Sequence, residues 1–528
     1  MAGLLLYDTT LRDGSQQEGI SLSVEDKLSI AVKIDELGIH YIEGGWPGAN
    51  PRDDEFFRRM RGVTFRHAKL VAFGSTRRVG GVAKNDQVLK NLLEAETPVV
   101  TIVGKSWDLH VTEVLETSLE ENLEMIRDSI DWLKENGREV IFDAEHFFDG
   151  FQANPTYAIQ CLAAAAAAGA DCLALCDTNG GTLPHDISRI VMEVGKNVAV
   201  PLGIHVHNDV ETAVAGSLAA IQAGAIQVQG TINGYGERCG NANLLSIIAN
   251  LQLKMGIRLL HPEQMARMTE VSRFVSEVVN IPMADNQPYV GKNAFTHKAG
   301  LHAAAVGKVE RSYQHIDPPI VGNTNAVLIS DLAGRGNVLF KLDQMGLHGA
   351  LTDNQVRGLV SIIKERESQG FQYEVADASF ELLVLRQLQG YQPKFQLVDY
   401  FTFIEQKTHG KDDLLGVSSE ATVKLLMGDE VVHTAGHGVG PVHALDSALR
   451  KALSIKYPDI TKVKLVDYKV RVVSLGEGTA SVVRVLVESS QGGEIWQTVG
   501  ASANIIEATW MALYDSLEYW LLAQEHNS

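Results

Sequence analysis

His205 and His207 stand one residue apart at the end of a run that reads as a β-strand, Pro201–Val206. Strand periodicity puts side chains two apart on the same face, so both imidazoles share one surface. A lone inward histidine is most often a satisfied core residue. Two at i and i+2, followed by Asn208 and Asp209, point instead to a metal site. Asp13 and Asn241 fall at the ends of other strand-like runs, and with the histidines they make one carboxylate, two imidazoles and an amide, with positions left open. Such a mixed nitrogen and oxygen set suits Mg²⁺, Mn²⁺, Co²⁺ or Zn²⁺ and does not discriminate among them. Arg12, Glu145, Asp177 and Thr178 are the other polar residues at strand ends.

A fold must bring these ends together. The first half of the chain alternates β-rich runs (Leu4–Tyr7, Tyr41–Gly45, Lys69–Phe73, Val99–Val103, Glu139–Asp143, Cys172–Cys176, Pro201–Val206, Ile226–Gln229) with helical periodicity after each one. The first strand start and the eighth are 222 residues apart over seven steps, about 32 per step, the size of a βα unit. Eight such units predict a closed (β/α)₈ TIM barrel, whose working residues lie at the C-terminal ends of the strands. The competing doubly wound sheet needs a Gly-rich phosphate turn after the first strand, and Thr9–Gly14 holds a single glycine. The domains expected are a catalytic barrel over 1–275, small helical linker subdomains over 276–393, and an α+β domain over 394–528 with strands at Phe395–Glu405, Ala421–Met427, Val463–Val473 and Ser481–Glu488.

The formal charge is 46 − 65 = −19, which disfavours nucleic acid and anionic membrane surfaces as partners. No run approaches the ~18 apolar residues of a membrane span, and the start lacks the basic region of a signal peptide. Four cysteines without a C-x-x-C pair fit a reducing cytoplasm and a fold without disulfides. Cys172 and Cys176 read as buried thiols, and Cys239 as packing beside Asn241. Gly44–Gly48 reads as a strand-end turn, since it has no phosphate-loop spacing.

Residues Asp8 through Gln16 (DTTLRDGSQ) resemble the signature of the DRE-TIM metallolyase superfamily. His205–Asp209 and Asn233–Asn241 (NGYGERCGN) resemble the second signature of its Claisen-condensing branch, the 2-isopropylmalate, homocitrate and citramalate synthases. Tyr41–Gly48 (YIEGGWPG) and Asp143–Gly150 (DAEHFFDG) are most similar to the citramalate synthase group. The resemblance implies a divalent metal, Mn²⁺ or Mg²⁺ with Zn²⁺ or Co²⁺ as alternatives, on Asp13, His205, His207 and Asn241. It assigns Arg12, Gln16 and Thr178 to a 2-oxo acid, Arg12 at the ketone oxygen and Thr178 at the carboxylate. Glu145, or His302 in HKAGLH with Tyr313 in SYQHIDP, is assigned as the base that takes a proton from the methyl of acetyl-CoA; histidine titrates near neutrality, which suits this work.

The reaction so implied joins acetyl-CoA and pyruvate to give (R)-citramalate and CoA. Its nearest rivals use 2-oxoisovalerate or 2-oxoglutarate as acceptor; a retro-Claisen or aldol lyase is a further class. A pocket for pyruvate should be small, and Phe73, Ile102 and Phe142 are its expected walls. Gly476–Ser481 and Val499–Ile505 resemble the amino-acid-binding regulatory domain of the isopropylmalate synthases, which implies a homodimer or larger assembly and isoleucine as feedback effector. A ligand carboxylate there is expected on backbone N–H groups at a helix start such as Asn504.

Overall fold

In the computed structural model, residues 3–526 are described except 299–301, 303–304, 306–308, 310–311, 331–333, 410–412 and 474–477. Eight parallel strands close into a barrel in sequence order: β1 (Leu5–Asp8), β2 (Tyr41–Gly45), β3 (Lys69–Ser75), β4 (Val99–Lys105), β5 (Glu139–Glu145), β6 (Cys172–Asp177), β7 (Leu202–Val206) and β8 (Gln227–Gly230). β1 pairs with both β2 and β8, so the sheet has no edge and the open-sheet alternative is excluded.

The helices between strands begin where the local chemistry supplies a cap. Ser23 and Asp26 form a capping box before Val24–Leu37. The side chains of Asn50, Asp86, Ser118 and Asn154 accept from backbone N–H groups of the helices that follow them. Each helix turns its apolar face onto the strands' outward residues, forming the large shared core that contains Ile42, Ala72, Ile102, Phe142 and Leu175. The alternate residues point inward. Tyr7, Tyr41, Val71, Val99, Ile141, Cys172 and Ala174 form an apolar layer inside the barrel, which closes it from below.

Polar residues take over one layer higher, and that switch positions the site. Glu43 and Thr101 are each fully buried and Asp143 nearly so; all sit two residues further along their strands than members of the apolar layer.

The chain divides into two compact units, 1–295 with 316–325, and 296–315 with 326–528. The stretch 276–393 is therefore shared between them. The second unit begins with a two-stranded pairing, β9 (Thr296–His297) with β10 (Ala326–Val327), followed by helices Arg335–Gln344, Asp353–Ser368 and Asp377–Leu385.

Its remainder is a structural repeat. β11 (Gln396–His409), β12 (Asp413–Met427) and β13 (Glu430–Gly438) form an antiparallel sheet followed by helix Pro441–Ser454. β14 (Lys464–Val472), β15 (Val483–Gln491) and β16 (Glu494–Ser502) do the same before helix Ile505–His526. With an offset of 64, Thr434 Oγ1 donates to the Ala448 carbonyl at 2.7 Å and Thr498 Oγ1 to that of Ala512 at 2.7 Å. β13 and β16 lie outside the four strands expected from the sequence. The Gly476–Ser481 motif lies partly outside the described residues, and the segment 299–301 before His302 lies wholly outside them.

Candidate active site

Asp13, His205 and His207 converge at the C-terminal mouth of the barrel. Their ligand atoms lie within 4.8 Å of one another, and all three residues are buried. Asp13 Oδ2 is 3.1 Å from His205 Nε2 and 3.6 Å from His207 Nε2, and the two imidazole nitrogens are 3.2 Å apart. A carboxylate oxygen and two nitrogen lone pairs aimed at one another call for a cation among them. His205 Nδ1 lies 2.9 Å from Gln229 Oε1, and Gln229 Nε2 donates to Asp143 Oδ1 at 3.0 Å. That chain puts the proton on Nδ1 and leaves Nε2 free to ligate.

Asn241 completes the group. Its Nδ2 contacts Asp13 Oδ2 at 2.6 Å, while its buried Oδ1 has no partner. Exchanging the two amide atoms, which are alike in shape, turns the carbonyl oxygen toward the cluster. A Cβ on Gly236 would lie 2.0 Å from Asn241 Oδ1, so glycine is what lets this amide sit where it does. The donor set fits a divalent cation.

Charge is concentrated here. Burial pushes the Asp13 carboxyl up, but Arg12, then His205 and His207, outweigh it and hold Asp13 well below the usual carboxylate range. Burial and the neighbouring His205 press His207 down to about 4, so this imidazole is neutral and available as a ligand. Burial, with the charge of Glu43, raises Asp143 to about 7.

Arg12 is held from two sides. Its Nε donates to Glu43 Oε1 at 2.5 Å, Nη1 lies 3.1 Å from Asp13 Oδ1, and the guanidinium carbon stands 3.8 Å from the centre of the Phe73 ring. Glu43 Oε2 accepts from Tyr7 Oη at 2.5 Å, and Tyr7 Oη lies 2.8 Å from Thr101 Oγ1. Glu43 thus orients the arginine; sequence reasoning missed it as a site residue. The available signal was a carboxylate inside the apolar strand Tyr41–Gly45, at the inward parity of Tyr41.

A cavity of about 260 Å³ opens above these groups, and Arg12, Asp13, Gln16, Glu145, Thr178, His205 and His207 all line it. Glu145 forms an ion pair with Lys105, its register partner on β4. Thr178 Oγ1 accepts from the His146 N–H at 2.9 Å. Of the three expected walls only Phe73 lines the cavity. Ile102 and Phe142 are fully buried in the outer core, because Thr101, Val103, Asp143 and Glu145 take the inward positions of β4 and β5. Trp46, Val103 and Cys176 supply the other apolar wall. The Trp46 ring meets Phe73 edge-on at 5.4 Å, and the Trp46 backbone N–H donates to Asp53 Oδ2 at 3.0 Å. Cys239, expected to pack beside Asn241, is exposed.

His302 and Tyr313 belong to the second unit. Their rings stack at 4.3 Å between centres, and Tyr313 is half exposed.

Three family models match successive stretches of the chain, the middle one spanning parts of both units. Residues 4–275, just over half of the chain, match the HMGL-like family model; 289–370 match the homocitrate synthase post-HMGL domain-like model, and 374–521 the LeuA allosteric (dimerisation) domain. The chain is 52% identical to an (R)-citramalate synthase of Aquifex aeolicus (strain VF5) over 98% of each chain. It is 52% identical to the (R)-citramalate synthase of Geobacter sulfurreducens over 99% of each. It is 31% identical to a 2-isopropylmalate synthase of Methanocaldococcus jannaschii over 98% of this chain and 95% of that one.

Proposed function

The chain belongs to the (R)-citramalate synthases, and from that membership and the barrel mouth we propose that it condenses acetyl-CoA with pyruvate and hydrolyses the product to (R)-citramalate and CoA. The observation that carries this reading is the buried Asp13, His205 and His207 cluster opening into a small cavity that Arg12 and Thr178 also line. A divalent cation held by these three residues and Asn241 supplies Lewis-acid polarisation of the 2-oxo acid; Mn²⁺ and Mg²⁺ are the proposed ions.

The residues divide the work. Thr178, whose Oγ1 already accepts from His146, has its hydroxyl proton left to donate to the pyruvate carboxylate. Gln16 lines the same cavity and is assigned to substrate with it. Arg12 Nη2 has no protein acceptor among the described residues, and we assign it to the ketone oxygen, where negative charge grows during attack. Glu145, in the cavity wall, takes the proton from the acetyl methyl directly or through a water; the stacked His302 and Tyr313 pair is the second candidate for that step. The enolate carbon then bonds to the ketone carbon, and the former ketone oxygen gains a proton. Water next adds to the thioester carbonyl, the C–S bond breaks, and the CoA thiolate is protonated as the new carboxylate forms.

Catalysis is assigned to 1–275, completion of the site to 276–393, and regulation to 394–528. The match to the LeuA allosteric (dimerisation) domain supports a regulated homodimer or larger assembly; isoleucine is the proposed effector, in isoleucine synthesis, and the cytoplasm the proposed location. No helix among the described residues is long and apolar enough to cross a membrane.

The deciding measurement is the initial rate of CoA release with pyruvate, 2-oxobutyrate, 2-oxoisovalerate and 2-oxoglutarate in parallel. Pyruvate should exceed the others in kcat/KM by about tenfold or more, within the reach of a pocket that sorts methylene groups. A preference for 2-oxoisovalerate would overturn the acceptor while leaving the mechanism in place.

A further inference from the structure

Arg238 stands in the loop after β8 with φ 54°, and its guanidinium reaches two other strand ends at once. Nε and Nη2 donate to Asp209 Oδ1 and Oδ2 at 2.7 and 2.8 Å, and Nη2 also donates to the carbonyl of Thr178 at 2.8 Å. Asp209 follows the two histidines of the β7 end, and Thr178 follows β6. One side chain therefore ties together the mouths of β6, β7 and β8. The backbone makes room for it: Gly180 has φ 62°, and a Cβ there would lie 2.4 Å from Asp209 Oδ2. Thr178 is gripped at both ends, its carbonyl by Arg238 and its hydroxyl oxygen by the His146 N–H.

Two simpler roles fit less well. A partly exposed ion pair contributes little as charge alone, and the Arg238 side chain is 43% exposed. A general loop tether would not need the planar fork, whereas a fork on a carboxylate plus a third bond to one chosen carbonyl demands the guanidinium shape.

We propose that Arg238, braced by Asp209, is a positioning residue for the 2-oxo acid: it fixes the backbone of Thr178 so that the hydroxyl meets the substrate carboxylate. The inference rests on the reading of the reaction given above. It assigns the ERCGN loop a task in acceptor binding, separate from the ligand role of Asn241.

The test uses the full-length, metal-loaded chain, with pyruvate and acetyl-CoA varied separately, for wild type, R238A, R238K, T178V and R238A/T178V. R238A should raise the KM for pyruvate about tenfold or more, the scale of one hydrogen bond to a charged group. Bound metal and the KM for acetyl-CoA should stay within about twofold. R238K, which keeps the charge and loses the fork, should recover only a minor part of the loss. In the double variant the losses should not multiply, because Arg238 acts through Thr178. A purely structural role would lower the melting temperature and the active fraction without moving the pyruvate KM. D209N, which loosens the brace, should shift the same KM in the same direction and serves if R238A does not fold. An unchanged pyruvate KM in the folded variants, or losses that multiply, overturns the proposal. A wild type that turns over no pyruvate removes the reaction reading and this inference together; one that does, beside a variant of equal KM, removes this inference alone.

Discussion

The barrel mouth and the paired repeats of the second unit are built on opposite economies. At the mouth Arg12, Asp13, Glu43, Asp143, His205 and His207 crowd one space and share neighbours: Arg12 bridges Glu43 and Asp13, and both imidazoles face the same Asp13 oxygen. In the repeats the same small contact is made twice, Thr434 to Ala448 and Thr498 to Ala512. A Cβ on Gly436 would lie 2.4 Å from Ala448 N, and one on Gly500 would lie 2.0 Å from the Ala508 carbonyl, so helix and sheet approach closely in both. Buried charge makes the mouth costly to build and reactive. Small residues at close approach make the repeats stable and chemically quiet. Substitutions should therefore separate cleanly, rate and metal at the mouth, stability in the repeats.

The largest effect belongs to the ligands. His205→Ala removes one of two imidazoles and leaves His207 as the one imidazole of the cluster beside Asp13. CoA release with pyruvate should fall by about a thousandfold or more, and metal retained after gel filtration should fall with it. Chelation of the wild type should mimic the loss, and added Mn²⁺ or Mg²⁺ should reverse it. Full activity in a variant that retains no metal would sink the assignment.

Glu43→Gln comes next. It keeps the shape but weakens the grip on Arg12 Nε and on Tyr7 Oη. On the proposed role of Arg12, meeting charge that develops only during attack, kcat should drop about a hundredfold with a smaller change in the pyruvate KM. Equal losses in a Glu43→Gln variant and in an Arg12→Lys/Glu43→Gln double would show that the two act as one unit.

A smaller effect is expected at the apolar wall. Phe73 and Val103 border the cavity, and Phe73 also carries the guanidinium of Arg12 on its face. Val103→Ala touches only the wall, so it should move the kcat/KM ratio of 2-oxobutyrate to pyruvate about tenfold toward the larger acid. Phe73→Leu should move the ratio and lower kcat as well. A Val103→Ala ratio within about twofold of wild type would place the specificity elsewhere.

Much of the mouth was legible because its signals are local. The i, i+2 spacing of His205 and His207 needs only strand periodicity, and eight βα steps of even size imply the closure that brings Asp13 and Asn241 to them. The inward place of Glu43 was legible from its parity with Tyr41, but its pairing with Arg12 was not, since the two lie 31 residues apart and no periodicity connects them. The outward place of Ile102 and Phe142 is also written in the parity of their strands: with Glu145 facing inward, Phe142 must face outward, so a bulky apolar residue near a strand end is not by itself a wall. The repeat was also present, in Thr434-Ala435-Gly436 and Thr498-Val499-Gly500, but β13 and β16 are interrupted by small residues that weaken the strand signal.

The smallest effect tests the quiet half of the comparison. Thr434→Val and Thr498→Val each delete one hydroxyl that donates to a helical carbonyl, and valine fills nearly the same volume. The carbonyls of Ala448 and Ala512 lie inside helices and keep their helical partners, so no buried group is left bare. Each change should cost about 1 kcal/mol in chemical denaturation, the usual net worth of such a bond. Thr498 is fully buried and Thr434 only partly, so the Thr498 change should be the larger of the two. Neither should alter the pyruvate KM or the metal content. If Thr498→Val instead changed turnover as strongly as Val103→Ala changes selectivity, the repeats would be mechanically coupled to the chemistry, and the separation between a reactive mouth and a quiet scaffold would fail.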